Sequence, residues 1–190
     1  MSKRATVLVT VGSTKFDALV RAVDTEEFGK ALVSKGYTHL VIQKGNGAYA
    51  PHVLVPINET LGTTKEGLHV EVFDYKPNLT DTMNEASLVI SHAGSGSIFE
   101  ALTAGKHLIV VPNPLLMDNH QVELGARLAD MGHLVCASTE ELVGAVQGFD
   151  GGKIKPYTPG APAKVVAAMD AFLWGQQPPA AAPAAAAARS

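Results

Sequence analysis

Cysteine is nearly absent from this sequence. Cys136 is the only one among 190 residues, so no disulfide can form within the chain, and we expect a reducing compartment. The sequence also lacks a run of roughly 20 apolar residues, which a helix needs to cross a bilayer. Its first residues do not show the apolar segment and cleavage pattern of a secretory signal. We therefore expect a cytoplasmic protein that reaches a membrane only through a partner.

Neither sign of charge dominates the sequence. The 15 basic and 18 acidic residues give a formal net charge of −3, and they are spread without a dense stripe of Lys and Arg. Such a stripe neutralises the phosphates of nucleic acid, so we expect no nucleic-acid partner. The length, with a hydrophobic content of 46%, is typical of one domain with a substantial core.

Short β-branched segments alternate with amphipathic segments, which predicts an α/β fold with a doubly wound, mostly parallel sheet. Several strand segments are continuously apolar, as parallel strands buried on both faces are. The predicted strands are Thr6 to Thr10, His39 to Gln43, His69 to Phe73, Leu88 to Ser91, Leu108 to Val111 and Leu134 to Cys136. The predicted helices are approximately Phe16 to Val23, Thr25 to Lys35, Asn78 to Glu85, Ser97 to Ala104, Asn119 to Met131 and Glu140 to Gln147. Gly36, Gly105 and Gly132 each follow a predicted helix, where a left-handed residue ends it without strain.

Three regions depart from this alternation. Residues 44–67 are rich in Gly, Pro, Thr and Asn and longer than a usual connection, so we predict an irregular loop or a small excursion. Residues 163–174 gather apolar side chains on one helical face, which predicts a last helix that packs on the domain or on another chain. Residues 175–190 are almost wholly Ala and Pro, which predicts a disordered tail. The predicted domain therefore spans residues 1–174.

A buried strand runs into a Gly/Ser turn and then a helix at residues 88–100, LVISHAGSGSIFE. The small residues Gly94 to Ser97 let backbone N–H groups approach a ligand, and the helix start offers unpaired donors and a partial positive charge suited to a diphosphate. The segment is not a P-loop, because no Gly-Lys-Ser/Thr follows, and a dinucleotide fingerprint would stand on the first βα unit. Two interpretations of Glu100 remain open. Either it forms a Ser-x-x-Glu capping box with Ser97, or its carboxylate accepts hydrogen bonds from ribose hydroxyls.

The first strand ends in a second motif, Thr10-Val11-Gly12-Ser13-Thr14. It stands at the carboxyl end of the strand, where open α/β sheets place their ligands, and Gly12 permits close backbone approach. Ser13 and Thr14 either cap the helix predicted to start near Phe16 or donate hydrogen bonds to phosphate oxygens.

A third polar turn follows Val111, within the segment VPNPLLMDNHQ. Asp118 or Asn119 is a candidate N-cap for the next helix. His120 and Gln121 carry the donors and acceptors that sugar hydroxyls require, although a Gln in a first helical turn is often merely solvated. Since the carboxyl ends of parallel strands meet at one sheet edge, we expect the three turns to converge there.

Four pieces in this order carry a resemblance: Thr-Val-Gly-Ser, Ile-Ser-His-Ala-Gly-Ser-Gly-Ser, Glu-Ala-Leu-Thr-Ala-Gly and Asp-Asn-His-Gln. Over roughly Thr6 to Phe172 the chain resembles the catalytic-subunit family of the eukaryotic UDP-N-acetylglucosamine transferase that adds the second sugar to the dolichol-linked oligosaccharide. These subunits belong to glycosyltransferase family 28. They are similar to the C-terminal donor domain of the bacterial transferase that adds N-acetylglucosamine to lipid-linked peptidoglycan precursors.

The resemblance implies a GT-B enzyme, in which two Rossmann-like halves face each other across a cleft, and this chain would be the donor half. It implies that Gly12 and Ser13 lie by the diphosphate, and that Glu100 bonds the ribose hydroxyls. It also implies that Gln121, with help from its two neighbours, binds the sugar hydroxyls. The implied donor-binding residues are Gly12, Ser13, Thr14, His92, Gly94, Ser95, Gly96, Ser97, Glu100, Asn119, His120 and Gln121.

The implied reaction moves N-acetylglucosamine from UDP-N-acetylglucosamine to N-acetylglucosamine-diphosphodolichol, with inversion at the anomeric carbon. We expect no metal and no cofactor, because backbone donors and a helix dipole can stabilise the leaving diphosphate and the sequence has no Asp-x-Asp motif. The general base is expected on the acceptor half, with His92 and His120 as the local candidates. For His92, a structural hydrogen bond at the strand end is the simpler interpretation.

The implied acceptor is a lipid-linked diphosphate in a membrane. The resemblance therefore implies a membrane-anchored, acceptor-binding partner subunit that recruits this chain to the cytosolic face of the endoplasmic reticulum, with residues 165–174 in the docking surface. Two rival classes remain open: a non-catalytic nucleotide-sugar-binding or regulatory protein of the same fold, and a self-sufficient NAD- or nucleotide-dependent enzyme. Co-purification with a membrane protein favours the transferase, and turnover by the pure chain favours the self-sufficient enzyme.

Overall fold

The computed structural model describes residues 4–76, 78–114 and 119–160, without the side chains of residues 119–122. Met1–Tyr157 forms one compact unit, and a second unit begins at Thr158. The helix predicted at residues 163–174 and the tail predicted at residues 175–190 lie outside the described residues. The domain end at residue 174 therefore stays a prediction.

A seven-stranded sheet runs through the described part of the chain. Its strands are β1 (Thr6–Thr10), β2 (His39–Gln43), β3 (Leu61–Thr63), β4 (His69–Phe73), β5 (Leu88–His92), β6 (His107–Val111) and β7 (Val135–Cys136). Their order across the sheet is β3-β4-β2-β1-β5-β6-β7, and every neighbouring pair is parallel except β3 and β4. All residues of β1 and β5 are buried, because helices cover both faces of these central strands. The predicted doubly wound, mostly parallel sheet is confirmed.

Strand β3 was not predicted. The sequence predicts an irregular loop or a small excursion at residues 44–67, and within that range Leu61–Thr63 is a strand that pairs antiparallel with β4. The strand has three residues and Leu61 is 65% exposed, so neither length nor apolar periodicity marks it in the sequence. It forms because β4 would otherwise leave its backbone groups unpaired at the edge of the sheet.

The helices are α1 (Asp17–Val23), α2 (Glu26–Ser34), α3 (Thr80–Glu85), α4 (Ser95–Thr103), α5 (Asn119–Asp130) and α6 (Leu142–Gly148), followed by a 3₁₀ turn at Gly151–Lys153. All six were predicted, with ends that differ by at most two residues. Gly36, Gly105 and Gly132 follow α2, α4 and α5 with φ of 84°, 66° and 83°, which confirms the predicted left-handed helix ends.

Two apolar layers hold the helices to the sheet. Neighbouring residues of a strand point to opposite faces, so Val7 and Val9 of β1 enter one layer and Leu8 enters the other. The first layer packs against α1, α2 and α6, and the second packs against α3, α4 and α5. Complete burial of one large apolar side chain stabilises the fold by roughly 1.5–3 kcal/mol. With both faces covered, the ends of the strands are the part of the sheet left to bind a ligand.

One buried carboxylate ties the excursion to the helical layer. Asp24 follows α1, is 1% exposed, and accepts a hydrogen bond from the Tyr49 hydroxyl at 2.7 Å. It also accepts hydrogen bonds from the backbone N–H groups of His52, Val53 and Leu54 at 2.8 to 3.2 Å. These donors compensate the loss of water around the charge. The start of the excursion is therefore fixed in spite of its irregular backbone.

Candidate functional site

The turns that follow β1, β5 and β6 lie at one edge of the sheet, because these strands are parallel neighbours. Two contacts join the turns directly. The imidazole of His92, the last residue of β5, lies against Gly12. The buried side-chain amide of Asn113 donates a hydrogen bond to the Lys15 carbonyl at 3.4 Å. Since β5 lies between β1 and β6, the described parts of the three predicted motifs lie near the end of β5.

A buried polar network shapes the first turn. The Gly12 N–H donates to the Thr10 hydroxyl at 3.1 Å, and the Gly12 carbonyl accepts from the Gln43 side-chain amide at 3.3 Å. The Thr10 hydroxyl in turn donates to the Gln43 side-chain carbonyl. Gly12 has a φ of 61°, which favours glycine. Both backbone groups of Gly12 are thus satisfied within the protein, whereas no described residue accepts the N–H of Ser13.

The interpretation of Ser13 and Thr14 as helix caps is wrong. The N-cap residue of α1 is Phe16, and no side chain caps it. The Thr14 hydroxyl donates to the Val11 carbonyl at 2.7 Å, while the exposed Ser13 has its carbonyl bonded by the Asn46 side-chain amide at 3.2 Å. The turn folds back on itself before the helix begins, so these hydroxyls cannot reach the N–H groups of α1.

The His92 ring fills the space beside two glycines of the predicted motifs. A Cβ atom at Gly12 would stand 2.8 Å from His92 Cε1, and a Cβ atom at Gly94 would stand 2.3 Å from His92 Nε2. Both distances are shorter than any real contact of a Cβ atom, so a side chain at either position would displace the ring. The two glycines therefore leave room for the imidazole, and their predicted role in the close approach of a ligand stays a prediction.

Burial controls the charge of His92. The residue is 7% exposed, and burial lowers the pKa of the ring, while the Thr10 backbone opposes part of that shift. The Nδ1 atom is buried without a hydrogen bond of good geometry among the described residues. The imidazole is therefore neutral at neutral pH and joins the first and second turns from the inside. A catalytic role for His92 stays a prediction.

The start of α4 is open to an anion. The helix begins at Ser95, its N-cap residue is Gly94, and no side chain in the described part of the chain caps it. The N–H groups of Ser95, Gly96 and Ser97 precede the first intrahelical hydrogen bond, which Ile98 donates to the Gly94 carbonyl at 3.0 Å. They point out of the helix end together with its partial positive charge. The capping-box interpretation of Ser97 is wrong, because Ser97 lies inside the first turn rather than before it.

Glu100 is an exposed residue of the same helix. Its Oε1 atom accepts a hydrogen bond from the Thr80 hydroxyl at 3.0 Å, across the gap between α3 and α4. The carboxylate does not bond back to the helix start, as the capping box requires. It is therefore available to a ligand, and its predicted role toward ribose hydroxyls stays a prediction.

The third turn is described only in part. Asn113 is 6% exposed and joins the turn to Lys15, as given above. Asn119, His120 and Gln121 form the first turn of α5, at the same sheet edge, but their side chains lie outside the described residues. Asp118, the alternative N-cap, also lies outside them. The roles of these residues toward the sugar stay predictions.

Reasoning from the sequence gave no individual role to four residues of the site: Gln43 and Thr80 lie outside the three motifs, and Thr10 and Asn113 lie within them. Thr10 and Gln43 carried a signal, because each is a polar residue that ends an otherwise apolar strand, and each is at most 2% exposed. A polar side chain buried at a strand end must find a partner in the adjoining turns. Thr80 and Asn113 carried no comparable signal, since their partners lie 20 and 98 residues away.

In the described site, backbone N–H groups and hydroxyls are the groups that can bind an anion. Within residues 4–76, 78–114 and 119–160, no three described His, Cys, Asp or Glu side chains are grouped so that they could hold a metal ion. In that same part of the chain, no helix has both the length and the apolar character that crossing a bilayer requires.

The sequence is similar to known proteins over most of its length. Residues 6–169 match the profile described as glycosyltransferase family 28 C-terminal domain. Over 132 residues, 70% of this chain, it is 44% identical to the Mus musculus protein named UDP-N-acetylglucosamine transferase subunit ALG13. The matched part is 10% of the length of that mouse protein.

Two solved structures are similar to this fold. The NMR solution structure of ALG13 superposes with a TM-score of 0.66 at 25% identity, covering 87% of this chain and 94% of that one. The crystal structure of MurG from Acinetobacter baumannii superposes with a TM-score of 0.53 at 22% identity. It covers 77% of this chain but 40% of MurG, and it shows the fold alone.

Proposed function

The chain belongs to the glycosyltransferase family 28 C-terminal domain family, and from this premise we propose that it is the donor-binding catalytic subunit of a two-subunit N-acetylglucosaminyltransferase. Its fold is the Rossmann-like half of a GT-B glycosyltransferase, as the resemblance predicted. The proposed reaction moves N-acetylglucosamine from UDP-N-acetylglucosamine to N-acetylglucosamine-diphosphodolichol, the second step in the assembly of the lipid-linked oligosaccharide for N-glycosylation.

One observation carries the proposal. Among the described residues, no side chain caps the first turn of α4 and no group accepts the N–H of Ser13, and the buried His92 ring joins these two turns. Oriented N–H groups and a helix dipole are suited to the two phosphates of a nucleoside diphosphate. A doubly wound sheet binds such ligands at the carboxyl end of its strands, where these turns are.

The other predicted residues have places around the diphosphate in this proposal. Glu100 extends from the second turn of α4 and accepts hydrogen bonds from the ribose hydroxyls. Asn119, His120 and Gln121, in the first turn of α5, bind the sugar hydroxyls. Thr14 and Ser13 line the phosphate side of the first turn.

The chemistry is an in-line displacement. The acceptor hydroxyl oxygen forms a bond to C1 of the sugar while the bond from C1 to the diphosphate oxygen breaks, and UDP leaves with the electron pair. The N–H groups of the turns and the dipole of α4 stabilise the charge on the departing diphosphate. A general base takes the proton of the acceptor hydroxyl. Because the His92 ring is buried against Gly12 and Gly94, we assign the base to the partner subunit, with His120 as the candidate on this chain.

The acceptor half is proposed to be a membrane-anchored partner subunit at the cytosolic face of the endoplasmic reticulum. The name of the mouse relative, a transferase subunit, supports the proposal of a second subunit. We propose that residues 165–174 of the predicted last helix belong to the docking surface. The partner would supply the binding site for the lipid-linked diphosphate acceptor.

A transfer assay tests the proposal. The full chain is combined with membranes that carry the candidate partner, and N-acetylglucosamine transfer from UDP-N-acetylglucosamine to the lipid acceptor is measured, together with the same reaction without membranes. We expect a β-linked product only when both components are present. Turnover by the pure chain would contradict the two-subunit enzyme. Absence of both transfer and UDP-N-acetylglucosamine binding in the assembly would overturn the function.

A further inference from the structure

A hydroxyl on α3 meets the carboxylate that we assign to the ribose. The Thr80 hydroxyl donates to Oε1 of Glu100 at 3.0 Å. Thr80 is the first residue of α3, and α3 begins after the turn that follows β4. The hydroxyl therefore approaches Glu100 from the carboxyl end of the sheet, which is also the edge that holds the three turns of the candidate site.

Contacts on both sides hold α3 in this place. The Thr80 N–H donates to the Asn78 side-chain carbonyl at 3.0 Å. Met83 is 1% exposed and packs in the apolar layer that also holds α4. The Lys106 ammonium, just after α4, donates to the Asn84 carbonyl. The position of the Thr80 hydroxyl is thus set by the packing of two helices against each other and the sheet.

The Glu100 carboxylate has little else to orient it. Within residues 4–76, 78–114 and 119–160, Thr80 is its sole side-chain hydrogen-bond partner, and it forms no ion pair with a described residue. An exposed glutamate samples several rotamers and loses that freedom when a ligand binds. A hydrogen bond from Thr80 uses one acceptor position of Oε1, and leaves Oε2 and the second position of Oε1 for a diol.

We propose that Thr80 is a positioning residue, whose hydroxyl holds the Glu100 carboxylate ready for the 2′- and 3′-hydroxyls of the donor ribose and so sharpens selection of a ribonucleotide. This inference rests on the proposed function, in which Glu100 binds the ribose. Thr80 itself makes no contact with the reacting atoms. Its contribution therefore appears only with a nucleotide that carries the hydroxyls.

The test compares UDP with 2′,3′-dideoxy-UDP in calorimetric titrations of the full chain, alone and assembled with the partner membranes. Thr80→Val removes the hydroxyl with little change of shape, Thr80→Ser retains it, and Thr103→Val is the matched control, an exposed threonine of α4. We expect Thr80→Val to weaken UDP binding roughly 3- to 10-fold and to leave dideoxy-UDP binding unchanged, since pre-ordering one side chain has an effect of this size. Thr80→Ser and Thr103→Val should bind both nucleotides as the unaltered chain does.

Each other outcome overturns a stated step. If Thr80→Val lost the same affinity for UDP and for dideoxy-UDP, Thr80 would only support the fold. If Thr80→Val bound both nucleotides as the unaltered chain does, Thr80 would not orient Glu100. If Val disturbs α3, Thr80→Ala gives the same comparison in a residue that favours helix. An unaltered chain that binds UDP without preferring it to dideoxy-UDP would overturn the role of Glu100 and this inference, but not the diphosphate site. A chain that binds no UDP in either preparation would overturn the proposed function as well.

Discussion

The substitution Gly96→Val tests whether Gly96 is required for the fold or for ligand binding. A Cβ atom built on Gly96 meets no atom within 4 Å, so the protein without ligand has room for a side chain at this position. Gly96 lies in the uncapped first turn of α4, where side chains lean toward the helix start. In the proposed site, that space is taken by the diphosphate. Valine should therefore leave the fold intact and obstruct the ligand.

We expect the substitution to leave stability unchanged or slightly higher and to weaken UDP binding. Valine is a better helix former than glycine, so the free energy of unfolding should stay equal or rise by about 0.3–0.5 kcal/mol. Displacing the diphosphate from one N–H group removes a hydrogen bond to a charged group, which contributes about 1.5–3 kcal/mol. The UDP dissociation constant should then rise about 10- to 150-fold.

The assay pairs urea unfolding with calorimetric UDP titration of the same preparations. Gly144→Val is the matched control, because Gly144 is a glycine of α6 that also has no atom within 4 Å of a Cβ position. We expect the control to match Gly96→Val in stability and the unaltered chain in UDP affinity. A folded Gly96→Val variant with unaltered UDP affinity would refute the placement of the diphosphate. A large loss of stability in Gly96→Val would refute the claim that the space is free.

Four further predictions concern Tyr49, His39 and the leaving group. Tyr49→Phe removes the hydroxyl that donates to Asp24 and should lower the free energy of unfolding, measured in urea, by about 1.5–3 kcal/mol. The control Tyr37→Phe, at a half-buried tyrosine, should change this free energy by less than about 0.5 kcal/mol. Equal effects of the two substitutions would contradict a stabilising hydrogen bond from Tyr49 to Asp24. Burial and the Asp24 hydrogen bond raise the pKa of Tyr49 to about 12, so the native state favours the neutral phenol and stability should fall as the pH rises from about 10 through 12. That fall should be smaller in Tyr49→Phe. Burial and nearby basic side chains lower the pKa of His39, so the stability that this residue contributes above about pH 6.5 should be lost as the pH falls below 6.5. Urea unfolding at several pH values measures this loss. A His39→Gln variant whose stability has the same pH dependence as that of the unaltered chain would contradict the prediction. Transfer by the assembled enzyme should survive a chelator, since N–H donors meet the leaving-group charge, and loss of transfer restored by a divalent ion would contradict that account.

Much of the fold could be predicted because its signals are local. Central strands such as β1 and β5 are short, apolar and buried on both faces, and their composition alone distinguishes them from the helices. Gly36, Gly105 and Gly132 mark helix ends because a left-handed residue is a property of one position. β3 escaped prediction because its pairing with β4 depends on an open sheet edge and not on its own three residues.

The two capping interpretations failed for a related reason. Ser97 and Glu100 have the spacing of a capping box, but the helix starts two residues earlier than predicted, at Ser95, because the chain leaves β5 through the tight turn that the His92 ring and Gly94 permit. Ser13 likewise precedes a helix without capping it. A spacing pattern shows which residues could interact, and the path of the backbone decides whether they do.

Alone, the sequence determined six of the seven described strands, the helix ends and the three polar turns, because each depends on residues close together in the chain. Tertiary structure decided which donors in those turns remain unpaired. The Gly12 N–H donates within a network that includes Gln43, 31 residues from Gly12, and the Asn113 amide donates to a carbonyl 98 residues away. By contrast, no described side chain caps the start of α4. A hydrogen bond between turns depends on which strands are neighbours in the sheet, and that order results from the packing of the whole domain. The anion site is therefore a product of the fold, built at positions that the sequence had already marked.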